Sequence, residues 1–386
     1  MSRGHELWLL NRGRTALVPP PPGVHRVHAD LSDPAAVAAA VAQVEQAGPI
    51  DAVVQWLGYT PDRVEADLKL FARAGQYVFI SSASAYLKPP SPYLVRESTP
   101  LGNPFWQYSQ YKIACEELLR AADTELPITV VRPSLTYGPS QVPVCVNSWE
   151  KPYTVVARMR AGKPVIIPGD GTSLWTLTHN SDFAVGLLGL LGNTGSFGRA
   201  VHITSDEVLT WNDIYALVAQ AAGADLHAMH VPTDALVAAD PELLGTLWGD
   251  KVHSAVFDNT LIKTLVPEFA ARVPFARGIR DTLAWFDVDP ARQVIDEQAD
   301  ALWDRVVSVY IRALREVSGL QPAVGAETGL TASAAPDARS HGAPTAGSDA
   351  EGTPDPASGS NSTASNSTGS GADGSRPEPV VTRGEG

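Results

Sequence analysis

The stretch Tyr77-Val-Phe-Ile-Ser-Ser82 decides the fold, because a fully apolar run ends there in two hydroxyl side chains. Such a run is typical of a strand that is buried on both faces of a parallel sheet. A helical pattern follows over residues 105 to 122, and a second apolar strand over residues 128 to 132. Strands that alternate with helices in this way predict an α/β fold.

The chain before this stretch repeats the alternation. We predict strands at residues 6 to 10, 24 to 29 and 51 to 57, with helices at residues 33 to 47 and 61 to 74. The predicted fold class is therefore α/β, with a Rossmann-like, doubly wound parallel sheet.

The chain after residue 139 changes character twice. Residues 140 to 318 mix helices with short strands, and we interpret them as a smaller α/β substrate lobe, partly interleaved with the sheet. The helices predicted there cover residues 154 to 161, 181 to 191, 211 to 222, 275 to 285 and 290 to 317. Residues 319 to 386 are rich in Ala, Gly, Ser, Thr, Pro and Asp. They bury too little apolar surface to offset the entropy of ordering, so we predict a disordered acidic tail.

Composition excludes several classes of function. The net charge of -13 disfavours nucleic acid as a partner, because phosphates are repelled by an acidic surface. Two cysteines without metal-ligand spacing indicate neither a disulfide framework nor a zinc site, and we expect no metal. No apolar run reaches the roughly 18 to 20 residues of a membrane helix, and no signal peptide is recognisable. A cytoplasmic location is the expectation.

The strongest chemical signal is Tyr108-Ser-Gln-Tyr-Lys112 on the predicted helix. A spacing of four places Tyr108 and Lys112 on one helix face, where an ammonium would lower the pKa of the phenol into a useful range. Taken alone, the pattern is also compatible with an ordinary amphipathic helix. Ser82 strengthens the chemical interpretation, because a hydroxyl at a strand's carboxyl end lies where active-site loops begin.

The order of several short motifs resembles the NAD-dependent epimerase/dehydratase family of extended short-chain dehydrogenases/reductases. The similarity covers roughly residues 4 to 290. The motifs that carry it are Ala29-Asp-Leu31, Ser81-Ser-Ala-Ser-Ala-Tyr86, Glu97-Ser-Thr-Pro100, Tyr108-Ser-Gln-Tyr-Lys112, Arg132-Pro-Ser-Leu-Thr-Tyr-Gly-Pro139, Pro168-Gly-Asp-Gly171 and His179-Asn-Ser-Asp182.

The resemblance implies a role for each matching residue. Tyr108 would be the general acid/base, and Lys112 would bind the nicotinamide ribose. Ser82 would hold the substrate oxygen. Residues 1 to 139 would form the NAD(P)-binding domain, and the substrate would be a sugar nucleotide or a similar carbinol or carbonyl compound. The other implied cofactor contacts are Asp30, Leu31, Gly58, Pro133, Ser134 and Leu135.

The loop after the first visible strand bears on the choice of cofactor. An acid there would bind the ribose 2′-hydroxyl of NAD. This chain has Asn11 and Arg12, with Arg14 nearby, and these arginines could accept the 2′-phosphate of NADP. Both NAD and NADP therefore remain open.

Relatives begin with a strand and a Gly-x-x-Gly-x-x-Gly turn that hold the pyrophosphate. No such turn precedes residue 6 here, so we expect the strands at residues 6 and 24 to lack their partner toward the strand at residue 51. Two explanations for the missing turn are open: the natural protein starts upstream of the written start, or the chain is really truncated. The first is favoured.

Several alternatives stay open at this stage. A non-catalytic cofactor- or RNA-binding protein on the same fold is the main competing hypothesis. Trp149, Tyr153 and Cys145 lie where relatives contact substrate, although core packing explains each of them equally well. By fold analogy, we expect a homodimer formed through the helices at residues 61 to 74 and 105 to 122.

Overall fold

The structure is a computed structural model that describes residues 4–13 and 20–319. The strands in chain order are β1 (Trp8–Asn11), β2 (His25–His28), β3 (Val53–Gln55), β4 (Tyr77–Ile80), β5 (Leu94–Val95), β6 (Ile128–Pro133), β7 (Leu135–Tyr137), β8 (Val165–Pro168), β9 (Leu174–Trp175), β10 (Leu177–His179), β11 (Arg199–Ile203), β12 (Leu209–Thr210), β13 (Ala228–Val231) and β14 (Val256–Phe257). The helices are α1 (Pro34–Ala47), α2 (Pro61–Leu70), α3 (Gln107–Ala121), α4 (Thr154–Arg160), α5 (Asn180–Leu190), α6 (Trp211–Ala222), α7 (Thr233–Ala239), α8 (Leu243–Thr246), α9 (Thr260–Leu265), α10 (Phe275–Asp287) and α11 (Glu297–Ser318). The predicted tail and Arg14 lie outside the described residues.

The main sheet has four strands in the order β11-β6-β4-β3, and all of its pairings are parallel. β4 explains why this sheet forms where the sequence predicts it. Its four residues are all buried, and they alternate between two cores. Tyr77 and Phe79 pack with α1, α2 and α3, while Val78 and Ile80 pack with α5 and α9. The prediction of a parallel sheet covered on both faces is therefore confirmed.

The first two strands form a separate sheet. β1 and β2 pair with each other in parallel, and among the described residues neither is hydrogen-bonded to the main sheet. This matches the expectation that both strands lack a partner toward β3. Apolar packing still joins them to the rest, because Leu10 of β1 and Leu31 after β2 contact the core beneath the main sheet.

Local sequence signals fix the starts of several helices. Asp33 caps α1 by accepting from the backbone N–H groups of Ala35 and Ala36, and Pro34 occupies the first helical position. Thr210 and Asp213 form a reciprocal capping box at the start of α6.

Two features of the lobe differ from the prediction. The predicted helix over residues 290 to 317 is interrupted, since Pro290–Arg292 is a separate 3-10 turn and α11 starts only after Asp296, whose side chain caps it. A proline and a second capping residue explain the break. The short helices α7, α8 and α9 were not predicted, because each has fewer residues than a clear period of 3.6 needs.

A buried ion pair fastens α3 to the sheet. The Glu116 carboxylate on α3 accepts from Arg132 of β6, with an Nη2–Oε2 distance of 2.5 Å. It also accepts from the Ser81 hydroxyl, which follows β4. The guanidinium also lies over the ring of Tyr86, at 4.8 Å from its centroid. One carboxylate therefore holds the helix against the ends of two strands.

We predict that Arg132→Met lowers the free energy of unfolding by about 3–5 kcal/mol, because it leaves the buried Glu116 charge without its partner. Urea unfolding measures the change. Arg73→Met is the matched control, since Arg73 pairs with Glu45 at the exposed surface and its loss should cost less than about 1 kcal/mol. Similar losses for the two variants would contradict the prediction.

Candidate active site

A cavity of about 410 Å³ opens at the carboxyl ends of β4 and β6. Ser82, Tyr108 and the segment Pro133, Ser134 and Leu135 line it together. Ligands bind at this edge in open α/β sheets. The structure therefore brings two of the three predicted catalytic side chains into one cleft with three of the predicted cofactor contacts.

Ser82 is oriented by a short chain of hydroxyls. Its Oγ lies 2.8 Å from the Oγ of Ser84, which in turn lies 2.7 Å from the Oγ of Ser109 on α3. The Ser82 hydroxyl also accepts from the backbone N–H of Ser84. The Ser82 hydroxyl lies close enough to the Tyr108 phenol to lower its pKa.

The phenol of Tyr108 is held in its protonated form. Burial raises the pKa of Tyr108 to about 12, and the hydrogen bond from Ser82 opposes this rise only in part. The predicted direction was the reverse, with Lys112 lowering the pKa of the phenol. That prediction is wrong, because burial dominates the pKa of the phenol and the Lys112 ammonium, 5.7 Å from the ring centroid, donates to other groups.

Lys112 is almost fully buried, at 1% exposure. Its Nζ donates to the carbonyl oxygens of Gly58 at 2.9 Å and Ile80 at 2.8 Å. The rings of Phe79 and Tyr59 also surround it, at 4.8 and 5.0 Å. Burial in this apolar setting lowers the pKa of Lys112 to about 8. An ammonium has three donors, and these two bonds leave one for a ligand.

Gly58 is an integral part of this arrangement. A Cβ at Gly58 would lie 2.8 Å from the Phe79 ring, so the strand end approaches its neighbour too closely for a side chain. Its carbonyl can then reach Lys112. Gly58, a predicted cofactor contact, is thus hydrogen-bonded directly to Lys112.

The other predicted cofactor residues lie at the ends of β1 and β2. The Asn11 side chain accepts from the backbone N–H of Gly13 at 2.9 Å, and Arg12 is exposed. The Asp30 carboxylate accepts from Ser32, and Leu31 is tied through its carbonyl to Arg63 of α2 at 2.7 Å. In the described parts of the chain, the lining of the cavity does not include these positions.

The donor set at the sheet edge fits a dinucleotide. The free donor capacity of Lys112 suits a ribose hydroxyl, and Pro133 to Leu135 lie in the same cleft as Tyr108. The exposed Arg12 and the carboxylate of Asp30 suit an adenosine ribose or its phosphate. No glycine-rich turn precedes β1 within residues 4–13, so these strand ends are the contacts that the described chain offers.

The far wall of the cavity comes from the lobe and depends on two glycines. Gly245 and Gly249 pack against the Trp106 side chain, and a Cβ at either position would collide with it. Asn103 closes the contact, since its Nδ2 donates to the carbonyls of Ser84 and Gly249 at 2.8 and 2.7 Å. The turn of π-helix over Leu247–Lys251 is thereby held beside Tyr108.

Sequence reasoning missed the charged residues of this wall. Lys88, Asp250 and Lys251 line the cavity, and both lysines are buried. Lys88 follows the serine motif, and Asp250 and Lys251 end the turn of π-helix. No spacing rule joins positions that lie so far apart in the sequence. The pairing Gly245-x-x-x-Gly249 was the one local signal that could have marked the close approach.

The remaining candidates divide between the wall and the core. Trp149 lines the cavity and is 54% exposed, whereas Tyr153 and Cys145 are buried in the core of the lobe. His179 caps α5, and Asp170 forms a turn with Thr172. Among residues 4–13 and 20–319, no group of three or more His, Cys, Asp or Glu side chains could hold a metal ion. None of the helices described is long and apolar enough to cross a membrane.

Two curated proteins resemble this chain in sequence. The 2'-dehydrokanamycin reductase of Streptomyces kanamyceticus is 29% identical over 284 residues, which cover 69% of this chain and 74% of that protein. The chloroplast stem-loop binding protein of 41 kDa b from Arabidopsis thaliana is 25% identical over 235 residues, or 58% of each chain.

Solved structures of epimerases and related proteins share the fold. Pal from Bacillus thuringiensis matches with a TM-score of 0.58 at 17% identity, over 74% of this chain and 93% of that one. WbmG of Bordetella bronchiseptica, solved in complex with NAD, matches with a TM-score of 0.58 at 18% identity, over 77% of this chain and 90% of that one. Epimerase Mth375 of Methanothermobacter thermautotrophicus reaches a TM-score of 0.61 at 16% identity, over 75% and 87%.

A family model matches the part of the chain that holds the sequence motifs and most of the strands around the cleft. The model of the NAD dependent epimerase/dehydratase family matches residues 1–203, which is more than half of the chain. The chain therefore belongs to the NAD dependent epimerase/dehydratase family.

Proposed function

We propose that the protein is an NAD- or NADP-dependent oxidoreductase that acts on a carbonyl or carbinol carbon of a sugar-like substrate, with reduction as the favoured direction. The supporting observation is that the buried Tyr108 phenol, whose pKa is raised to about 12, lines one cavity together with Ser82. A phenol with a pKa of about 12 is a proton donor at neutral pH. The reductase among the curated relatives supports the same direction.

The proposed step needs one proton donor and one hydride donor. The nicotinamide would supply the hydride to the carbonyl carbon. Tyr108 would give its phenolic proton to the carbonyl oxygen, so that the C=O double bond becomes a C–O single bond with a new O–H. Ser82 would donate a hydrogen bond to the same oxygen, and Lys112 would hold the nicotinamide ribose through its remaining donor.

The charges of the cavity favour this step over a dehydration. Loss of water needs an additional acid and base beside the substrate. Asp250 is the one carboxylate in the described lining, and two lysines flank it. A sugar nucleotide is the proposed substrate class, as the sequence motifs imply. A homodimer through α2 and α3 remains a further part of the proposal.

We predict that Tyr108→Phe lowers kcat/KM by about 10²–10⁴-fold, because the substrate oxygen loses its proton donor. The measurement is oxidation of NADPH or NADH, followed by absorbance, with a panel of keto-sugar nucleotides. Tyr111→Phe is the matched control, since Tyr111 lies on the same helix but is 43% exposed. Equal activity of the two variants would refute the role of Tyr108.

A second prediction concerns Lys112, whose pKa in the folded chain is about 8 against an ordinary value of 10.5. Between these pH values the unfolded chain holds a proton that the folded chain has released. Raising the pH therefore favours the folded state. We expect the free energy of unfolding of the wild type to rise relative to that of Lys112→Met by on the order of 2–3 kcal/mol from pH 7 to pH 10.5.

Urea unfolding of both proteins across this pH range measures the effect, and the comparison cancels the titration of all other groups. A difference that stays constant with pH would show that Lys112 is not the buried cation described here. A decrease would contradict the sign.

A second candidate function is RNA binding, and the match to the chloroplast stem-loop binding protein is the observation that favours it. The net charge of -13 opposes it. We expect no specific complex with a stem-loop RNA in filter-binding assays at physiological salt. Tight, salt-dependent binding that survives Tyr108→Phe would replace the oxidoreductase proposal.

A further inference from the structure

Two buried lysines share one carboxylate in the far wall of the cavity. The Nζ of Lys88 lies 3.7 Å from one oxygen of Asp250, and the Nζ of Lys251 lies 3.5 Å from the other. The side chains of both lysines are at most 3% exposed, whereas that of Asp250 is 16% exposed. Lys88 also lies over the Trp175 ring and Lys251 over the Trp149 ring.

With both lysines protonated, this cluster carries more positive than negative charge, although burial lowers the pKa of Lys88. Two ammonium groups face one carboxylate at distances longer than a good charge-assisted hydrogen bond, which is about 2.7–2.9 Å. Burial lowers the pKa of the nearby His253, which favours its neutral form. An uncompensated buried cation is costly, and an anion in the cavity would relieve that cost.

A third donor at the same wall has no partner. The indole N–H of Trp175 is buried, and it has no hydrogen-bond acceptor in the part of the chain that the structure describes. Trp175 lines the cavity together with Lys88 and Lys251. Buried donors are nearly always hydrogen-bonded, so this unpaired N–H leaves the wall beside the two lysines short of an acceptor.

We propose that Lys88 and Lys251 form a subsite for an oxyanion of the substrate, a phosphate or a carboxylate, and that this subsite rejects polycationic amino sugars. The inference rests on the proposed function for the location of the substrate, and it deepens that function by naming the charge that the substrate carries. It also separates this chain from its curated relative, whose name refers to a kanamycin derivative. Trp149 and Trp175 supply the aromatic walls between which an anionic sugar derivative would lie.

The first test compares four probes by isothermal titration calorimetry with the full chain. UDP carries a diphosphate, glucuronate carries a ring carboxylate, glucose is neutral and kanamycin is a polycation. We expect at least one anion to bind at least tenfold more tightly than glucose, and kanamycin to bind least. Preference for UDP over glucuronate would identify a phosphate as the source of the oxyanion, and the reverse would identify a carboxylate. Binding of kanamycin above both anions, or anions no better than glucose, would overturn the proposal.

The second test removes one charge at a time. Lys88→Met and Lys251→Met should each weaken binding of the preferred anion by about tenfold or more, because each removes a charged donor. Affinity for glucose should not change. Lys69→Met is the matched control, since Lys69 pairs with Glu65 on the exposed face of α2. Unchanged anion affinity in both cavity variants would overturn the proposal.

A measurement on the wild type covers the case in which the variants fold poorly. Anion affinity should fall as NaCl rises from low to physiological concentration, whereas glucose affinity should stay constant. The same slope for both probes would overturn the subsite. Its failure is distinguishable from failure of the proposed function. Anion binding that depends on the two lysines, without oxidation of NADPH or NADH that depends on Tyr108, would support the subsite and contradict the proposed reaction. Oxidation that depends on Tyr108, without anion binding that depends on the lysines, would support the reaction and contradict the subsite.

Discussion

The hydrogen bonds from the Lys112 ammonium to the carbonyls of Gly58 and Ile80 are the constraint on which the site depends. They connect α3 to the carboxyl ends of β3 and β4, and a buried cation cannot give them up without a new partner. One turn farther along α3, Glu116 adds the bonds to Ser81 and Arg132. These contacts therefore keep α3 from rotating about its axis or sliding along the sheet. Tyr108, in the first turn of α3, is held in place with it.

This arrangement explains why burial, and not the neighbouring charge, sets the protonation of Tyr108. The ammonium of Lys112 donates to two carbonyls, so it gives little stabilisation to a phenolate at Tyr108. The phenol accordingly keeps its proton, and Ser82 holds it in place. A substrate oxygen that displaces the Ser82 contact would meet both donors at once. The site is thus organised to deliver a proton, as the proposed reduction requires.

The features of the fold and of the site that could be predicted from the sequence are those that a short stretch of residues encodes. The alternating cores of β4, the helix α3, the capped start of α1 and the grouping of Ser82 with Tyr108 follow from short patterns of residues. The rise in the pKa of Tyr108 could not be predicted in this way. It results from burial against Trp106 and the lobe wall, which sequence spacing does not reveal. Lys88 and Lys251 were missed for the same reason, as 163 positions separate two side chains that face one carboxylate. Pro290 gave a local signal for a break that the predicted long helix overlooked.

The cavity and the ends of β1 and β2 are held by different forces. The cavity is built on strands of one hydrogen-bonded sheet and on buried charged contacts. The ends of β1 and β2, where the sequence predicts adenosine contacts, are held by the packing of Leu10 and Leu31 and by the bond from Arg63 to the carbonyl of Leu31. Between them, Trp56, Leu57 and Tyr59 just beyond β3 are 44–50% exposed. Large apolar side chains in such a position favour a ligand or a further element that covers them. Chemistry and cofactor affinity should therefore respond separately to substitution: changes at Ser82 and Tyr108 should alter the reaction, and changes at Arg12 and Asp30 should alter the choice between NAD and NADP.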